Sequence, residues 1–274
     1  MVGCAAVSLT DYSESPELSS MERRLVRVCQ HINEDERAKR LQTRFHEAIG
    51  MRWVSACMTN LLDLGGLEHM FELRPAQGVI ICSNHRSFFD MYVIAAVLRT
   101  RHVPWVRDMF FPVRTPFFYE KWSGLAVNLL MGGGAMYPPI FRDAAKADLN
   151  KLSVERIIHF LSRPGVVIGM HPEGTRSKGP DPMDLLPAQP GVGQMAIQSG
   201  APVVPIWVEG MGNNLPRQIA SNFGVGEARP ITLRFGRPVD LADLRAQRAR
   251  ATVYKRAADR ILDAIRELGQ SVRA

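Results

Sequence analysis

Short apolar runs rich in β-branched residues alternate with helix-like segments from about residue 75 onward, and this alternation restricts the possible folds most strongly. The predicted strands lie near 78–83, 103–107, 166–170, 203–208 and 230–235. The predicted helices lie near 90–100, 115–131, 150–162 and 191–199. Strands that alternate with helices are typical of an α/β fold, so we expect a mixed, largely parallel sheet flanked by helices.

Helices are predicted on both sides of this core. Residues 1–74 are expected to form a loose leader up to about residue 18 and then amphipathic helices that face a membrane. Residues 75–240 are expected to form the α/β core, and residues 241–274 to form C-terminal helices packed on it. That last prediction depends on an apolar stripe at helical spacing, made of Tyr254, Ala258, Ile261, Ile265 and Leu268.

The first of two polar strings, residues 84–90, begins just after the apolar run 79–82, so His85 is predicted in a strand-to-helix loop. Asp90 comes five residues later, where the next apolar stretch begins. One continuous helix would turn the two side chains apart, so they meet only if the chain bends and Asp90 lies in the first helical turn. The carboxylate would then hold one imidazole nitrogen and leave the other free as a general base.

A capping box is the structural alternative for the same string. Ser87 and Asp90 have the spacing that this motif needs at the start of a helix. The two functions are compatible. Because a single histidine beside an aspartate is more often structural than catalytic, this string alone favours the structural interpretation.

The second polar string, residues 171–177, follows the apolar run 166–170. Gly174 frees backbone N–H groups for an anion, and Arg176 supplies a planar fork of donors that suits a phosphate. A surface turn with a solvated arginine is the structural alternative. Two such strings at the ends of two predicted strands favour a ligand site, because α/β folds bind ligands at the carboxyl ends of their strands.

Four ordered motifs resemble those of the glycerolipid acyltransferases, in particular the bacterial 1-acyl-glycerol-3-phosphate (lysophosphatidic acid) acyltransferases. Residues 84–90 are similar to the family's N-H-x-x-x-x-D block, and residues 140–142 to its second block. Residues 171–177 are similar to F-P-E-G-T-R-S, and residues 204–206 match V-P-I. The resemblance covers about residues 75–240. Two departures are that His171 stands where the family has phenylalanine and that residues 137–139 interrupt the approach to Arg142.

The resemblance implies a mechanism without a covalent acyl-enzyme. His85 would remove the proton of an acceptor hydroxyl as that oxygen attacks an acyl thioester, with Asp90 orienting the ring. Neither a metal nor a bound organic cofactor is implied, and acyl-CoA or an acyl carrier protein would be the donor. The residues implied in acceptor binding, with the two arginines on its phosphate, are Arg142, Glu173, Gly174, Thr175 and Arg176.

The acceptor implied by the resemblance is lysophosphatidic acid, and the product is phosphatidic acid. Another lysophospholipid, glycerol-3-phosphate or an amino-acid-derived lysolipid is the alternative with the same chemistry. A non-catalytic lipid- or CoA-binding protein is the alternative of a different class. The intact pair of His85 and Asp90 argues against it, because a pure binder needs no base.

Charge and composition favour an anionic, membrane-bound partner. The formal net charge of +7 suits phospholipid headgroups, a phosphorylated acceptor or coenzyme A. Nucleic acid would suit the charge alone, but the sequence has no dense Lys/Arg stripe. The cysteines, which lack metal-like spacing, indicate a reducing compartment; they are Cys4, Cys29, Cys57 and Cys82.

Membrane contact is expected at the cytoplasmic face through two apolar segments, residues 46–64 and 109–131. Burial of both segments in an ordinary core is the alternative. No apolar run reaches 18 residues, so no membrane-spanning helix is predicted.

Competing chemistries find little support in the sequence. It contains no G-x-S-x-G, H-E-x-x-H or phosphate-loop motif. Residues 191–196 imitate a dinucleotide fingerprint, but the proline-containing stretch before them does not suit the strand that this motif requires. We therefore expect these glycines at the start of a helix that packs closely on the sheet.

Overall fold

A six-stranded sheet forms the centre of the computed structural model, which describes residues 11–227 and 229–273. Its strands are β1 (Leu62–Gly65), β2 (Val79–Ser83), β3 (Asp108–Phe110), β6 (Val166–Met170), β7 (Val203–Glu209) and β8 (Ile231–Phe235). A small second sheet pairs β4 (Val113–Arg114) with β5 (Pro139–Ile140).

The main sheet has the order β1-β8-β7-β2-β6-β3. Neighbouring strands are parallel except β7 and β8, which are antiparallel. The predicted α/β class, with a mixed and largely parallel sheet, is therefore confirmed. Strand β2 lies in the middle and is buried along its whole length, as expected for a strand covered on both faces.

Helices precede, flank and follow the sheet. The first half of the chain contributes α1 (Ser20–Glu34), α2 (Glu36–Phe45), α3 (Met51–Met58), α4 (Glu68–Glu72), α5 (Asp90–Thr100) and α6 (Thr115–Phe118). The second half contributes α7 (Trp122–Gly132), α8 (Leu149–Leu161), α9 (Pro190–Ser199), α10 (Leu215–Asn222), α11 (Ala242–Arg245) and α12 (Ala251–Ser271). A π-helical turn, His46–Gly50, joins α2 to α3.

Two predicted elements are wrong in their bounds. The strand expected at 103–107 begins only at Asp108, and the residues before it form turns that include Pro104, which has no N–H to donate to a ladder. The helix expected at 115–131 is two helices, because the chain folds back on itself between them. Gly124 of α7 permits this close approach, since a Cβ there would lie 1.9 Å from the carbonyl oxygen of Phe117. The pattern also gave no prediction of β1, β4 and β5.

The glycines of residues 191–196 do open a helix, α9, but their close contact is with another helix rather than with the sheet. A Cβ on Gly193 would lie 1.9 Å from the carbonyl oxygen of Tyr254 in α12. The predicted C-terminal stripe explains this arrangement, because Ala258, Ile261 and Ile265 are buried where α12 packs on α9 and β7.

The N-terminal region packs on the core. Tyr12 is fully buried, and its hydroxyl lies 2.7 Å from Ser153 Oγ, so the described part of the expected leader is not loose. Residues 1–10, including Cys4, lie outside the described residues. The other three cysteines are buried free thiols.

Each of the two segments expected at a membrane has both buried and exposed apolar side chains. In residues 46–64, the side chains of Met51, Val54 and Met58 belong to the core, whereas Ile49 is exposed. In residues 109–131, most aromatic side chains are buried, but Phe117 and Trp122 are about half exposed. Within the described residues, no helix combines the length and apolarity needed to cross a bilayer.

Candidate active site

The two polar strings meet because their strands are parallel neighbours. Cys82 of β2 lies opposite Met170 of β6, so the loops that leave these strands emerge side by side at the carboxyl edge of the sheet. Strand β7 lies on the other side of β2, with Ser83 opposite Ile206. The register therefore places His85 and His171 at the same point of this edge.

His85 and Asp90 are in hydrogen-bond contact. The Nδ1 atom of His85 lies 3.1 Å from Oδ2 of Asp90, which is buried at the first position of α5. The same oxygen accepts hydrogen bonds of 2.8 Å from the backbone N–H groups of Arg86 and Ser87. The chain thus bends between the histidine and the aspartate, as their spacing requires.

Only half of the predicted capping box forms. Asp90 accepts from the Ser87 N–H, but the Ser87 hydroxyl oxygen accepts from Phe89 N–H at 3.1 Å instead of from the N–H of Asp90. Phe89 occupies the N-cap position, and its side chain makes no capping hydrogen bond. The carboxylate of Asp90 therefore organises the loop and contacts the imidazole at the same time.

The hydrogen bond to Asp90 determines which nitrogen of His85 is free. Because a carboxylate accepts, Nδ1 carries the proton and Nε2 keeps its lone pair. No hydrogen bond from the described residues reaches Nε2. The side chain of His85 is 20 % exposed, so this nitrogen is on a ring that solvent or a ligand can approach.

Electrostatics keep the ring neutral. Burial, reinforced by the positive charges of Arg176 and Arg114, lowers the pKa of His85 well below its ordinary value. Burial has the opposite effect on the acid and raises the pKa of Asp90 to about 6. At neutral pH the site therefore holds an unprotonated imidazole beside a carboxylate, which is the state that a general base needs.

Glu173 fixes the loop that carries His85. Its side chain is buried, Oε1 accepts from the His85 N–H at 2.8 Å, and Oε2 accepts from the Leu186 N–H at 2.7 Å. The backbone N–H of Ser177 also donates to the carbonyl oxygen of His85, at 2.9 Å. Both Glu173 oxygens are thus engaged within the protein, so its position favours holding the base over the direct acceptor contact that was expected.

Asn84 attaches the same loop to β7, which the sequence reasoning did not anticipate. Its side-chain amide donates to the Val208 carbonyl and accepts from the Val208 N–H, both at 2.8 Å. Just beyond the end of β2, this buried side chain thus makes a pair of hydrogen bonds to β7 like those that a neighbouring strand would make. The signal was present in the sequence, because Asn84 directly precedes the histidine and follows a buried strand.

His171 stacks on His85. The ring centroids are 3.7 Å apart, and the ring planes differ by 8°. The Nδ1 atom of His171 lies 3.1 Å from the carbonyl oxygens of Ser83 and Asn84. Burial lowers the pKa of His171 to about 3, so this ring is also neutral.

The positive charges of Arg176 and Arg114 act on His85, and Arg142 lies near Arg114. Arg176 and Arg142 are exposed, and Arg176 Nη1 lies 3.4 Å from Asn213 Oδ1. Arg114 lies on β4, opposite Ile140 of β5. Burial, with the nearby charge of Arg142, lowers the pKa of Arg114 to about 10.

Arg114 is a site residue that the sequence reasoning placed only near a membrane. A Cβ on Gly174 would lie 3.9 Å from Arg114 Nη2, so this guanidinium reaches the loop of the second polar string. Gly174 itself has φ of 63°, a conformation that favours glycine, and Thr175 beside it is exposed. No short motif links Arg114 to this loop, so only the fold brings the two together.

The three titratable side chains His85, Asp90 and His171 have ligand atoms within 4.8 Å of one another. Their hydrogen bonds already engage the Asp90 oxygen and both Nδ1 atoms. The parallel stack also directs the two rings side by side instead of toward one shared point.

Two comparisons with known proteins identify relatives of this chain. A family model described as Acyltransferase matches residues 67–209, which is more than half of the chain. A chloroplastic 1-acyl-sn-glycerol-3-phosphate acyltransferase of Brassica napus is 26 % identical over 208 residues, which cover 74 % of this chain and 54 % of the relative. The chain therefore spans about half the length of that relative.

Proposed function

The chain belongs to the acyltransferase family, and on this premise we propose that it transfers a fatty acyl group from acyl-CoA to the free hydroxyl of lysophosphatidic acid, giving phosphatidic acid. The observation that carries the proposal is the contact of His85 with Asp90, which leaves Nε2 without a hydrogen bond from the described residues and near the charges of Arg176 and Arg114. The named activity of the Brassica napus relative supports the choice of acceptor.

The proposed reaction proceeds by direct attack. Nε2 of His85 takes the proton of the acceptor hydroxyl as its oxygen attacks the thioester carbonyl, and Asp90 stabilises the imidazolium that forms. Collapse of the tetrahedral intermediate breaks the carbon–sulfur bond, and the departing thiolate receives the proton. General-base assistance of this kind accelerates reactions by about 10²–10⁴-fold, and the alignment of two reactants contributes at most about 7–11 kcal/mol more.

The arginines are suited to the anionic end of the acceptor. Arg176 and Arg142 are exposed and have forks of donors that match phosphate oxygens. We assign Arg114 to the same task, because its charge acts on His85 and it lies close to the charge of Arg142. Thr175 and the backbone at Gly174 lie on the same loop as Arg176, where they complete the proposed acceptor site.

Membrane docking is part of the proposal, since both the acceptor and the acyl chain partition into bilayers. Phe117 is half exposed, and its ring lies 5.1 Å from that of Phe88 in the His85 loop. The other exposed apolar side chains of α2, α7 and the connecting turns are Leu41, Phe45, Ile49, Trp122 and Leu130. Because helix α7 packs against residues 46–50, we propose that these side chains contribute to one docking surface.

The test of function is the product. Purified protein incubated with acyl-CoA and a mixed pool of lysolipids should release free thiol and convert lysophosphatidic acid to phosphatidic acid, identified by mass spectrometry. Conversion of another lysolipid, or of glycerol-3-phosphate, would change the acceptor and keep the chemistry. Acyl carrier protein loaded with the same acyl chain tests the donor. Binding of lipid without thiol release from either donor would contradict the proposal and favour a non-catalytic binder.

Docking has a separate test. The protein should sediment with vesicles that contain anionic lipid, and Phe117→Ser with Trp122→Ser should reduce the bound fraction. Phe223→Ser removes a similarly exposed aromatic side chain that follows α10, and it serves as the control. Equal loss of binding in the control would argue against a specific docking surface.

A further inference from the structure

One face of the catalytic imidazole is covered by a second imidazole. The His171 ring lies parallel to the His85 ring, with 3.7 Å between centroids and 8° between planes. That distance is van der Waals contact, so water has no room between the rings. Asp90 contacts the edge of the His85 ring through Nδ1. The backbone N–H of His85 donates to Glu173, and its backbone carbonyl oxygen accepts from the Ser177 N–H.

The covering ring is itself fixed by the strand from which His85 emerges. Carbonyl oxygens only accept hydrogen bonds, so Nδ1 of His171 donates to Ser83 and Asn84, each at 3.1 Å. The Ser83 hydroxyl lies 3.2 Å from the same nitrogen. These contacts hold the His171 plane rigid relative to the end of β2, and the stack passes that orientation to His85.

We infer that His171 is a positioning residue, whose stacked ring shields one face of His85 from water and fixes the plane in which Nε2 points. Its catalytic consequence rests on the proposed function. Phenylalanine, which the family resemblance gives for this position, could supply the cover but has no N–H for the two carbonyls. Substitutions can therefore remove the flat ring over His85 and the hydrogen-bond donor separately.

The shielding has an electrostatic consequence. A ring cut off from water resists protonation, and two protonated imidazoles in van der Waals contact would repel each other strongly. The other charged groups near His85 are the carboxylates of Asp90 and Glu173 and the guanidinium groups of Arg86, Arg114 and Arg176. A substitution at residue 171 leaves all of these side chains in the sequence, so the variants test the contribution of His171 itself.

The decisive experiment compares His171→Phe, which keeps a flat cover without the donor, with His171→Asn, which keeps a donor without the cover. His171→Ala removes both. Ring ¹⁵N signals of His85, assigned with His85→Gln, are followed against pH in the ligand-free protein. Wild type and His171→Phe should keep His85 neutral down to about pH 5, whereas His171→Asn and His171→Ala should move its midpoint up toward the ordinary value of 6.5.

Kinetics provide the second measurement. We expect kcat to fall about tenfold or more in His171→Asn and His171→Ala with the acceptor KM within about twofold, and to stay within about threefold of wild type in His171→Phe. A lower kcat without a shift in the titration of His85 in the folded protein would contradict the shielding.

Two further outcomes would overturn the inference. If His171→Asn matches wild type and His171→Phe is damaged, the donation to β2 matters and the cover does not. If the His85 midpoint is the same in all variants, the ring does not shield the base. His171→Ala is not essential, because the Phe and Asn pair decides the question even if it fails to fold. Because the titration needs no substrate, it still tests the cover if wild type proves inactive as an acyltransferase.

Discussion

Two basic side chains with lowered pKa values, His85 and Lys39, lie at opposite ends of the sheet. The hydrogen bonds around them differ. His85 lies at the carboxyl ends of β2 and β6, whereas Lys39 of α2 lies beside the first residues of β3 and β6, Asp108 and Val166. Burial lowers the pKa of both, that of Lys39 to about 7. The same physical effect therefore operates at both places.

The difference lies in where the polar atoms point. Lys39 Nζ donates to Asn33 Oδ1 at 2.9 Å and to the Met109 carbonyl at 3.0 Å, and it lies 3.9 Å from the centre of the Phe110 ring. These contacts fasten the N-terminal helices to β3. His85 keeps Nε2 without a hydrogen bond from the described residues, and it lies near the charges of Arg176 and Arg114. A lowered pKa alone thus does not identify a catalytic group; the free atom beside ligand-binding side chains does.

The largest expected effect is on the rate of the reaction at His85. His85→Ala should lower the rate of thiol release by about 10²–10⁴-fold, because the base is lost. His31→Ala, which removes an exposed histidine of α1, is the matched control and should leave the rate unchanged. Equal thiol release by wild type and His85→Ala would show that the base lies elsewhere.

A smaller effect is expected at the phosphate-binding arginines. Arg176→Ala should raise the acceptor KM by about tenfold, because a charge-assisted contact is lost. The control is Arg40→Ala, an exposed arginine at the Lys39 end. The KM for lysophosphatidic acid measured with each variant sharpens the comparison, and an unchanged value in Arg176→Ala would remove this side chain from the acceptor site.

Glu173→Gln should disturb the loop without removing the base. The substituted amide can accept only one of the two backbone N–H groups that the carboxylate now holds, so one buried donor loses its partner. We expect a loss of about 1–3 kcal/mol in the free energy of unfolding, measured with urea, and a lower kcat. Glu155→Gln on the exposed face of α8 is the control. A KM effect without loss of stability would instead indicate direct acceptor contact.

Lys39→Met should leave the chemistry almost untouched and change how stability depends on pH. The folded pKa of about 7 lies below the ordinary 10.5, so between these values the unfolded chain binds the extra proton. Wild-type stability should therefore rise with pH across this range relative to Lys39→Met. Urea unfolding of both proteins at the two ends of the range measures the difference. A difference that does not vary with pH would mean that Lys39 is not protonated differently in the folded state.

Local patterns predicted the parts of the site well where neighbours in sequence decide them. The strand before His85, the start of α5 at Asp90 and the strand before His171 follow from short-range apolar patterning. The failures occur where a turn interrupts an apolar run, as at Pro104. They also occur where short strands depend on distant partners, as with β4 and β5.

The sequence by itself determined the α/β class, the two motifs and the bend that lets Asp90 reach His85, because each depends on residues close together in the chain. Only the tertiary structure decided that β2 and β6 are neighbours, that His171 stacks on His85, and that Arg114 lies near His85. Strand order and register are set by packing across the whole sheet, and no short stretch of sequence contains that information.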